Sequence, residues 1–236
     1  MASAALDSLP GFRRRMRVEP GQGAVRAAVE DDYHCMHVVL HHDGARIASV
    51  DAAMERAPWT TCPSAPDQLR ETFVGAELAE VAARGQKQAN CTHLYDLALL
   101  AAAHAGDAGP TTYDMLISDP VEGRNRAEIR RDGSAVMGWT VDKGEIVEPV
   151  AIAGIPLMKM RPWIETLEPA DREAARLLQW ATIIAHGRAI PLENQSDASR
   201  IPPNCYTFQP HRAVHAVRVG EIIDFSATAR RPLEQI

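Results

Sequence analysis

The chain has 236 residues, of which 46% are hydrophobic and 24% are charged, and its formal net charge is −6 at neutral pH. This is the composition of an ordinary globular protein that can bury a substantial core, and it excludes a disordered or fibrous chain. The negative charge argues against nucleic acid as a partner, because phosphate recognition needs a basic face.

Membrane and export signals are missing from the sequence. No run of about 18 apolar residues occurs, and no apolar stretch follows the basic residues near the N-terminus as in a signal peptide. We therefore expect a cytoplasmic protein with no membrane partner. In that compartment the cysteines should be reduced thiols, and none of them forms a CxxC pair. The basic segment 12–17 is predicted to be a solvated arm or an early strand edge.

The first predicted elements are two strands between residues 25 and 50, joined by a tight Asp-Gly turn at 43–44. An Asp-Gly pair flanked by alternating apolar residues is a strong hairpin signal. The N-terminal part of the chain is therefore predicted to contain a β-hairpin.

Two helices are predicted to follow the hairpin. The first begins with Cys62 or Ser64 as alternative N-caps. The second is predicted over residues 90–105, with Asn90 or Thr92 as its cap. Helical spacing predicts that its inward residues are Leu94, Leu97, Ala98 and Ala101.

A glycine- and proline-containing break at 106–110 is the predicted boundary between two halves. The halves, 1–108 and 109–236, are interpreted either as two subdomains or as one continuous domain. The first half carries the cysteine and histidine residues that are discussed below.

The second half is predicted to be an antiparallel sheet with one long helix. The predicted strands are 113–118, 127–131, 135–141 and 145–149, followed by a helix over 169–188, a surface loop over 192–203 and a strand over 205–209. The sequence thus predicts an α+β fold, with a hairpin and two helices before this second sheet.

The strongest candidate site consists of Cys62, Cys91 and His93. Both cysteines lie where a helix is predicted to begin, and a helix N-terminus favours a thiolate. Zinc takes sulfur and imidazole ligands, and three protein ligands plus water describe a catalytic zinc site. A strand that supplies Asp32 or His34 would complete the set. The alternative is that both cysteines are small buried hydrophobic residues.

Asp32 and His34 form the second candidate site. Strand alternation places them on the same face and Asp31 on the opposite face. Together they could supply a general base and the carboxylate that orients it. The alternative is a solvated strand edge with ordinary acidic residues.

Three further residues are candidates for substrate binding. Trp59 and Thr61 could line a pocket or donate a hydrogen bond, although Trp59 equally fits a core position. Arg124 could bind a carboxylate with both arms of its guanidinium, although most loop arginines are solvated. No nucleotide-binding glycine motif, serine-hydrolase elbow or HExxH zinc motif occurs.

Several of these segments resemble a bacterial family known only as a domain of unknown function, DUF2889. The similar segments are 56–63, 91–94, the strand that carries 32–34, and 205–210. The resemblance spans most of the chain and implies no activity. The order of Asp32, Cys62, Cys91 and His93 is also similar to that of iron–sulfur cluster scaffold proteins. The spacing differs, however, and here the histidine follows the cysteine.

We therefore expect a cytoplasmic enzyme that acts on a small organic molecule as a lyase, isomerase or hydrolase. Cys62, Cys91 and His93 would bind zinc or act as thiol and acid–base groups, and Asp32 or His34 would move the proton. The alternatives are a metal or iron–sulfur scaffold that passes its cargo to a partner, and a non-catalytic binder of small molecules. The sequence does not decide between a monomer and a homodimer.

Overall fold

Eight strands form one hydrogen-bonded sheet in the computed structural model, which describes residues 5–189 and 197–235. The strands are β1 (Gly11–Gly21), β2 (Ala24–Asp31), β3 (Cys35–His42), β4 (Ile47–Arg56), β5 (Thr111–Ser118), β6 (Arg124–Arg131), β7 (Ser134–Asp142) and β8 (Glu145–Glu148). Their order is β4-β3-β2-β1-β5-β6-β7-β8. The helices are α1 (Ala65–Phe73), α2 (Thr92–Ala103), α3 (Arg161–Ile164), α4 (Pro169–Ala185) and α5 (Pro210–Ala213). The predicted α+β class is confirmed.

The chain divides into two compact units, and β1 passes from one to the other between Arg15 and Met16. The α4 unit contains the described residues 5–15, 112–189 and 224–235. The α2 unit contains the described residues 16–111 and 197–223. The predicted break at 106–110 lies just before the point where the chain leaves the α2 unit.

In the α2 unit, β2 pairs with β3 and β3 pairs with β4, both antiparallel. Helix α2 packs against β2 and β3, and α1 packs against β4. The predicted inward face of α2 is confirmed, because all four of its predicted residues are buried. Leu69 and Phe73 of α1 are also buried. These apolar faces hold the two helices on the sheet, since apolar burial stabilises by about 25 cal/mol per Å².

In the α4 unit, β5, β6, β7 and β8 pair successively as antiparallel neighbours, which confirms the four predicted strands. Two tight hairpin turns join β6 to β7 and β7 to β8. Asp132 and Gly133, and likewise Lys143 and Gly144, have positive φ angles, as a two-residue type I′ turn requires. The predicted long helix is α4, which packs against β6 and β7 and buries Ala174, Leu178 and Ala181, whereas Leu177 and Ile184 are half-buried.

The basic segment 12–17 is part of β1, which confirms the predicted early strand, but β1 lies between β2 and β5, so the segment is neither a solvated arm nor a sheet edge. Phe12, Arg13 and Arg14 are buried. The guanidinium of Arg13 donates hydrogen bonds to the carbonyl oxygens of Leu6 and Leu9. Backbone oxygens therefore replace the water molecules that the guanidinium loses when it is buried.

Two other predictions are corrected by the structure. Residues 24–42 form two strands, with a turn at 31–34, where one strand was predicted. Residues 205–209 form turns and not a strand, because the N–H of Tyr206 donates to the carbonyl of Asn90 and the N–H of Phe208 to the carbonyl of Cys205. In the predicted loop 192–203, residues 192–196 lie outside the described residues. No helix of the described chain is long and apolar enough to span a membrane.

Gly11 allows the close approach of β1 to β5. A methyl group on Gly11 would lie 2.1 Å from the carbonyl oxygen of Ile117 and 2.8 Å from the Cα of Ser118. We expect Gly11→Ala to lower the free energy of unfolding by about 2 kcal/mol or more, because two strand backbones must move apart. Chemical denaturation measures this change. Gly109→Ala is the control, since nothing lies within 4 Å of its added methyl; equal stabilities of the two variants would contradict the close approach.

Candidate functional site

The turn between β2 and β3 is organised by the side chain of Asp31. Its Oδ1 accepts hydrogen bonds from the N–H groups of Tyr33 and His34, both at 2.8 Å. The same oxygen lies 3.0 Å from Nδ1 of His34, and the whole residue is buried. A carboxylate at this distance favours the imidazole tautomer with its proton on Nδ1, which leaves the lone pair on Nε2. Asp31 thus sets both the turn and the chemistry of His34.

Arg56, the last residue of β4, holds the same turn from outside. Its guanidinium donates to the carbonyl oxygens of Asp31 at 2.7 Å and of Asp32 at 2.8 Å, and it lies 3.2 Å from Oε1 of Glu30. The guanidinium also donates a longer hydrogen bond, of 3.3 Å, to the carbonyl oxygen of His34. Because a planar guanidinium presents its donors in a fixed fork, these bonds restrict the turn to one geometry.

His93, in the first turn of α2, brings a second imidazole to His34. The ring centroids are 3.9 Å apart and the ring planes are tilted by 30°. Asp31, His34 and His93 each offer a ligand atom, and these atoms lie within 4.8 Å of one another. Among the residues that the structure describes, this is the one such group of three potential metal ligands. The predicted set Cys62, Cys91 and His93 is not such a group.

The carboxylate on Nδ1 of His34 belongs to Asp31, whereas strand alternation predicted Asp32 for this role. The reason is local. Residues 31–34 form a turn closed by the N–H of Asp31 on the carbonyl of His34, so the two-residue period of a strand does not apply. Asp32 is buried in the same turn. The predicted strand edge with solvated acids is therefore wrong for both aspartates.

Three thiols lie close together in the α2 unit, although only two were predicted at the site. Cys62 and Cys91 are buried, and Cys205 is half-buried. Charges on Cys62 and Cys205 would raise the pKa of Cys91, which places the three sulfurs within electrostatic reach of one another. Sγ of Cys62 also lies 3.3 Å from Oγ1 of Thr207.

Burial reverses the expected effect of the helix start on these thiols. Cys91, and neither Asn90 nor Thr92, is the N-cap of α2. Burial raises the pKa of Cys91, and the amides of Leu94 and His93, which lower it, do not compensate. Burial likewise raises the pKa of Cys62, against smaller lowering contributions that include the charge of Arg218. Burial thus favours the thiol form at both positions, where the sequence predicted thiolates.

The raised pKa values predict slow alkylation of the thiols. The pKa of Cys205 is raised to about 11, chiefly by burial. At pH 8 its thiolate fraction would be about 0.001, against about 0.2 for an ordinary cysteine. We expect iodoacetamide to label Cys205 about two orders of magnitude more slowly than the unfolded chain, and the rate to rise with pH up to that pKa. Peptide mass mapping measures each cysteine separately, and fast labelling at pH 8 would contradict the burial of the thiols.

The three residues predicted to bind substrate have different surroundings. Trp59 is buried with Cys62 in a small apolar cluster, and its ring meets that of Phe208 edge to face. The hydroxyl of Thr61 donates to that of Thr207. Arg124 belongs to the α4 unit, is largely exposed and forms an ion pair with Asp142. Trp59 and Thr61 therefore lie in the α2 unit with the thiols and imidazoles, whereas Arg124 lies in the other unit.

The α4 unit contains a separate cavity of about 590 Å³. Phe12 and Asn125 line part of it, and Arg188 contributes a charge. That charge is already paired with Asp119 at 2.9 Å and Asp224 at 3.0 Å. None of the predicted site residues lines this cavity, so the α2 unit provides the better candidate site.

The α2 unit thus consists of antiparallel strands packed against two helices, and it carries an Asp–His–His cluster. Residues 13–105 match the model of a family described as a protein of unknown function, DUF2889. The predicted resemblance to DUF2889 is confirmed over this segment, which includes Asp31, His34, Cys62, Cys91 and His93. A search of curated proteins found no match to the chain. The predicted similarity to iron–sulfur scaffold proteins is not shown.

Sequence reasoning missed three residues of this region: Asp31 as the partner of His34, Arg56 as the residue that holds the turn, and Arg218. A signal existed for the first, because adjacent aspartates before an aromatic residue are typical of a turn. No local pattern could have placed Arg218, which reaches the region from a distant part of the chain.

Proposed function

We propose that the protein is an enzyme that acts on a small organic molecule by proton transfer at His34 and His93. The observation that carries the proposal is the buried Asp31 carboxylate on Nδ1 of His34, beside a second imidazole 3.9 Å away. A carboxylate that holds a histidine in one tautomer leaves Nε2 ready to accept a proton, as in catalytic acid–base sites. Many lyases, isomerases and hydrolases use such a step.

Burial supports separate roles for the two histidines. The His34 side chain is 9% exposed and Asp31 is fully buried, so this pair is shielded from bulk water. His93 is half-buried and is the more accessible ring. In this proposal Asp31 is a positioning residue, His34 is the base, and His93 contacts the substrate and, when protonated, donates its own proton to it.

The closeness of the two rings allows both to act on one substrate molecule. His34 can accept a proton from one atom of the substrate while a protonated His93 donates its own proton to another atom. The starting state returns when His34 releases its proton to solvent and His93 takes one up.

A second candidate is a zinc enzyme that uses the same cluster. Imidazole nitrogen and carboxylate oxygen are normal zinc ligands, and the ligand atoms of Asp31, His34 and His93 lie within 4.8 Å of one another. Zinc held there would lower the pKa of a bound water. A cysteine-based metal scaffold is less well supported. Among the described residues, the three thiols do not form a group of potential ligand atoms within 4.8 Å of one another. A non-catalytic binder is the outcome if no turnover depends on either histidine.

The enzymatic proposal is tested with histidine variants against a panel of esters, lactones, hydroxy acids and enolisable ketones. We expect His34→Asn and His93→Asn to lower kcat/KM for the substrate found by about 100- to 10,000-fold, the usual contribution of general acid–base catalysis. His215→Asn, which changes an exposed histidine of the same unit, should leave it unchanged. Turnover that survives in both site variants would contradict the proposal.

The zinc alternative is tested by elemental analysis of protein purified without chelator, followed by competitive titration with zinc. If zinc is the cofactor, we expect one zinc per chain and at least about tenfold weaker binding in His34→Asn and His93→Asn. Cys62→Ser and Cys91→Ser should bind zinc as the wild type does. Loss of zinc in the cysteine variants alone would show thiol ligands and contradict this assignment.

A further inference from the structure

Arg218 is held in a fixed position by the backbone of the α2 unit. The segment that carries it runs antiparallel to residues 57–60, with hydrogen bonds from Val219 N–H to Pro58 and from Thr60 N–H to Val217, both at 3.0 Å. Gly220 has φ +90°, and a methyl on it would lie 2.8 Å from the carbonyl oxygen of Ala57. The two backbones are thus in direct contact, and their hydrogen bonds fix the position of the backbone that carries Arg218.

The guanidinium of Arg218 lies beside two aromatic rings. Its central carbon is 5.4 Å from the ring centroid of Trp59 and 5.8 Å from that of Tyr33, both within the range of cation–π contact. Within the described chain, no carboxylate oxygen lies within 4.0 Å of it. An arginine side chain stays charged at neutral pH even when it is half-buried. This cation therefore lacks the anionic partner that partly buried charges normally have.

Two other partly buried arginines of the protein have such partners. Arg56 contacts Glu30 and the carbonyls of the 31–34 turn, and Arg188 is paired with two aspartates. Arg218 is half-buried as well, and this burial lowers its pKa from the usual value. The fork of Arg218, by contrast, is still available to an anion.

The position of Arg218 connects it to the candidate site. The Tyr33 ring that its guanidinium contacts also meets the ring of His34, with centroids 6.1 Å apart. The charge of Arg218 acts on the thiol of Cys62. Further along the same segment, the N–H of Ile223 donates to the carbonyl of Asp32 in the turn. An anion on Arg218 would therefore be separated from His34, the proposed base, by the Tyr33 ring that contacts both.

We propose that Arg218 binds the carboxylate of a small organic acid, and that this acid is the substrate class of the site. The substrate assignment rests on the proposed function, whereas the binding does not. A single guanidinium matches a carboxylate with two parallel hydrogen bonds. A phosphate carries nearly twice the charge and would call for a second cation, and Arg56 is already engaged with Glu30. The Trp59 and Tyr33 rings would flank the apolar part of the acid.

The binding is tested by titrating the ¹⁵N-labelled protein with acetate, benzoate and succinate, and with benzamide as the neutral analogue of benzoate. The probe is the indole N–H resonance of Trp59, assigned with Trp59→Phe. We expect at least one carboxylate to saturate the shift below about 50 mM, a weak but specific affinity, and benzamide to leave it unchanged. Arg218→Gln should weaken that binding by at least about tenfold, since the charge and the fork are both lost.

Two further variants make the result decisive. Arg212→Gln is the matched control, because Arg212 also lies over an aromatic ring, Tyr206, in the same C-terminal segment. It should bind the carboxylate as the wild type does. Arg218→Lys keeps the charge without the fork and should bind with intermediate affinity, which also covers the case that Arg218→Gln does not fold.

The proposal is overturned if no carboxylate saturates the shift, if benzamide acts equally, or if Arg218→Gln and Arg218→Lys both bind as the wild type does. His34→Asn separates this inference from the proposed function. It should retain carboxylate binding while it loses turnover. If carboxylate binding persists while turnover is unchanged in the variants of both histidines, the Arg218 site is supported and only the acid–base proposal is refuted.

Discussion

The hydrogen bonds accepted by the buried Asp31 carboxylate are the constraint on which the candidate site depends. They add to the backbone bond from the N–H of Asp31 to the carbonyl of His34, which closes the turn between β2 and β3, and they direct the ring of His34. The carbonyl oxygen of Asp31 accepts a hydrogen bond from Arg56. Three donors on this carboxylate replace water that its burial removes. Loss of these hydrogen bonds would therefore change the turn, the orientation of His34 and its distance from His93 together.

A single arginine, Arg56, links three consecutive buried acidic residues. Glu30, Asp31 and Asp32 are consecutive and all buried. Arg56 meets the first of them directly and binds the carbonyls of the other two. A buried ion pair of this kind adds little net stability, because desolvation offsets the attraction, but it disfavours every geometry that separates the partners. The network therefore fixes one arrangement of the turn beside α2.

Features encoded by neighbouring residues could be predicted from the sequence, and features that depend on tertiary context could not. The paired turns at 132–133 and 143–144 and the apolar face of α2 follow from local spacing and are present. Alternation failed at Asp32, because a turn interrupts the strand there. The helix start at Cys91 was expected to hold a thiolate, but the depth of burial, which no local pattern contains, decides its protonation. Arg218 joins the region from more than a hundred residues away.

The return of residues 197–223 to the α2 unit has a consequence for biosynthesis. Trp59 and Cys62 form their apolar cluster with Ala198, Ala213 and Ala216, which leave the ribosome long after β4 and α1. Until then the nascent chain displays an indole and a thiol that later segments will cover. Because these contacts form late, folding is slower, and apolar surface is exposed to chaperones and to neighbouring nascent chains. Premature termination before residue 197 would leave that surface permanently open.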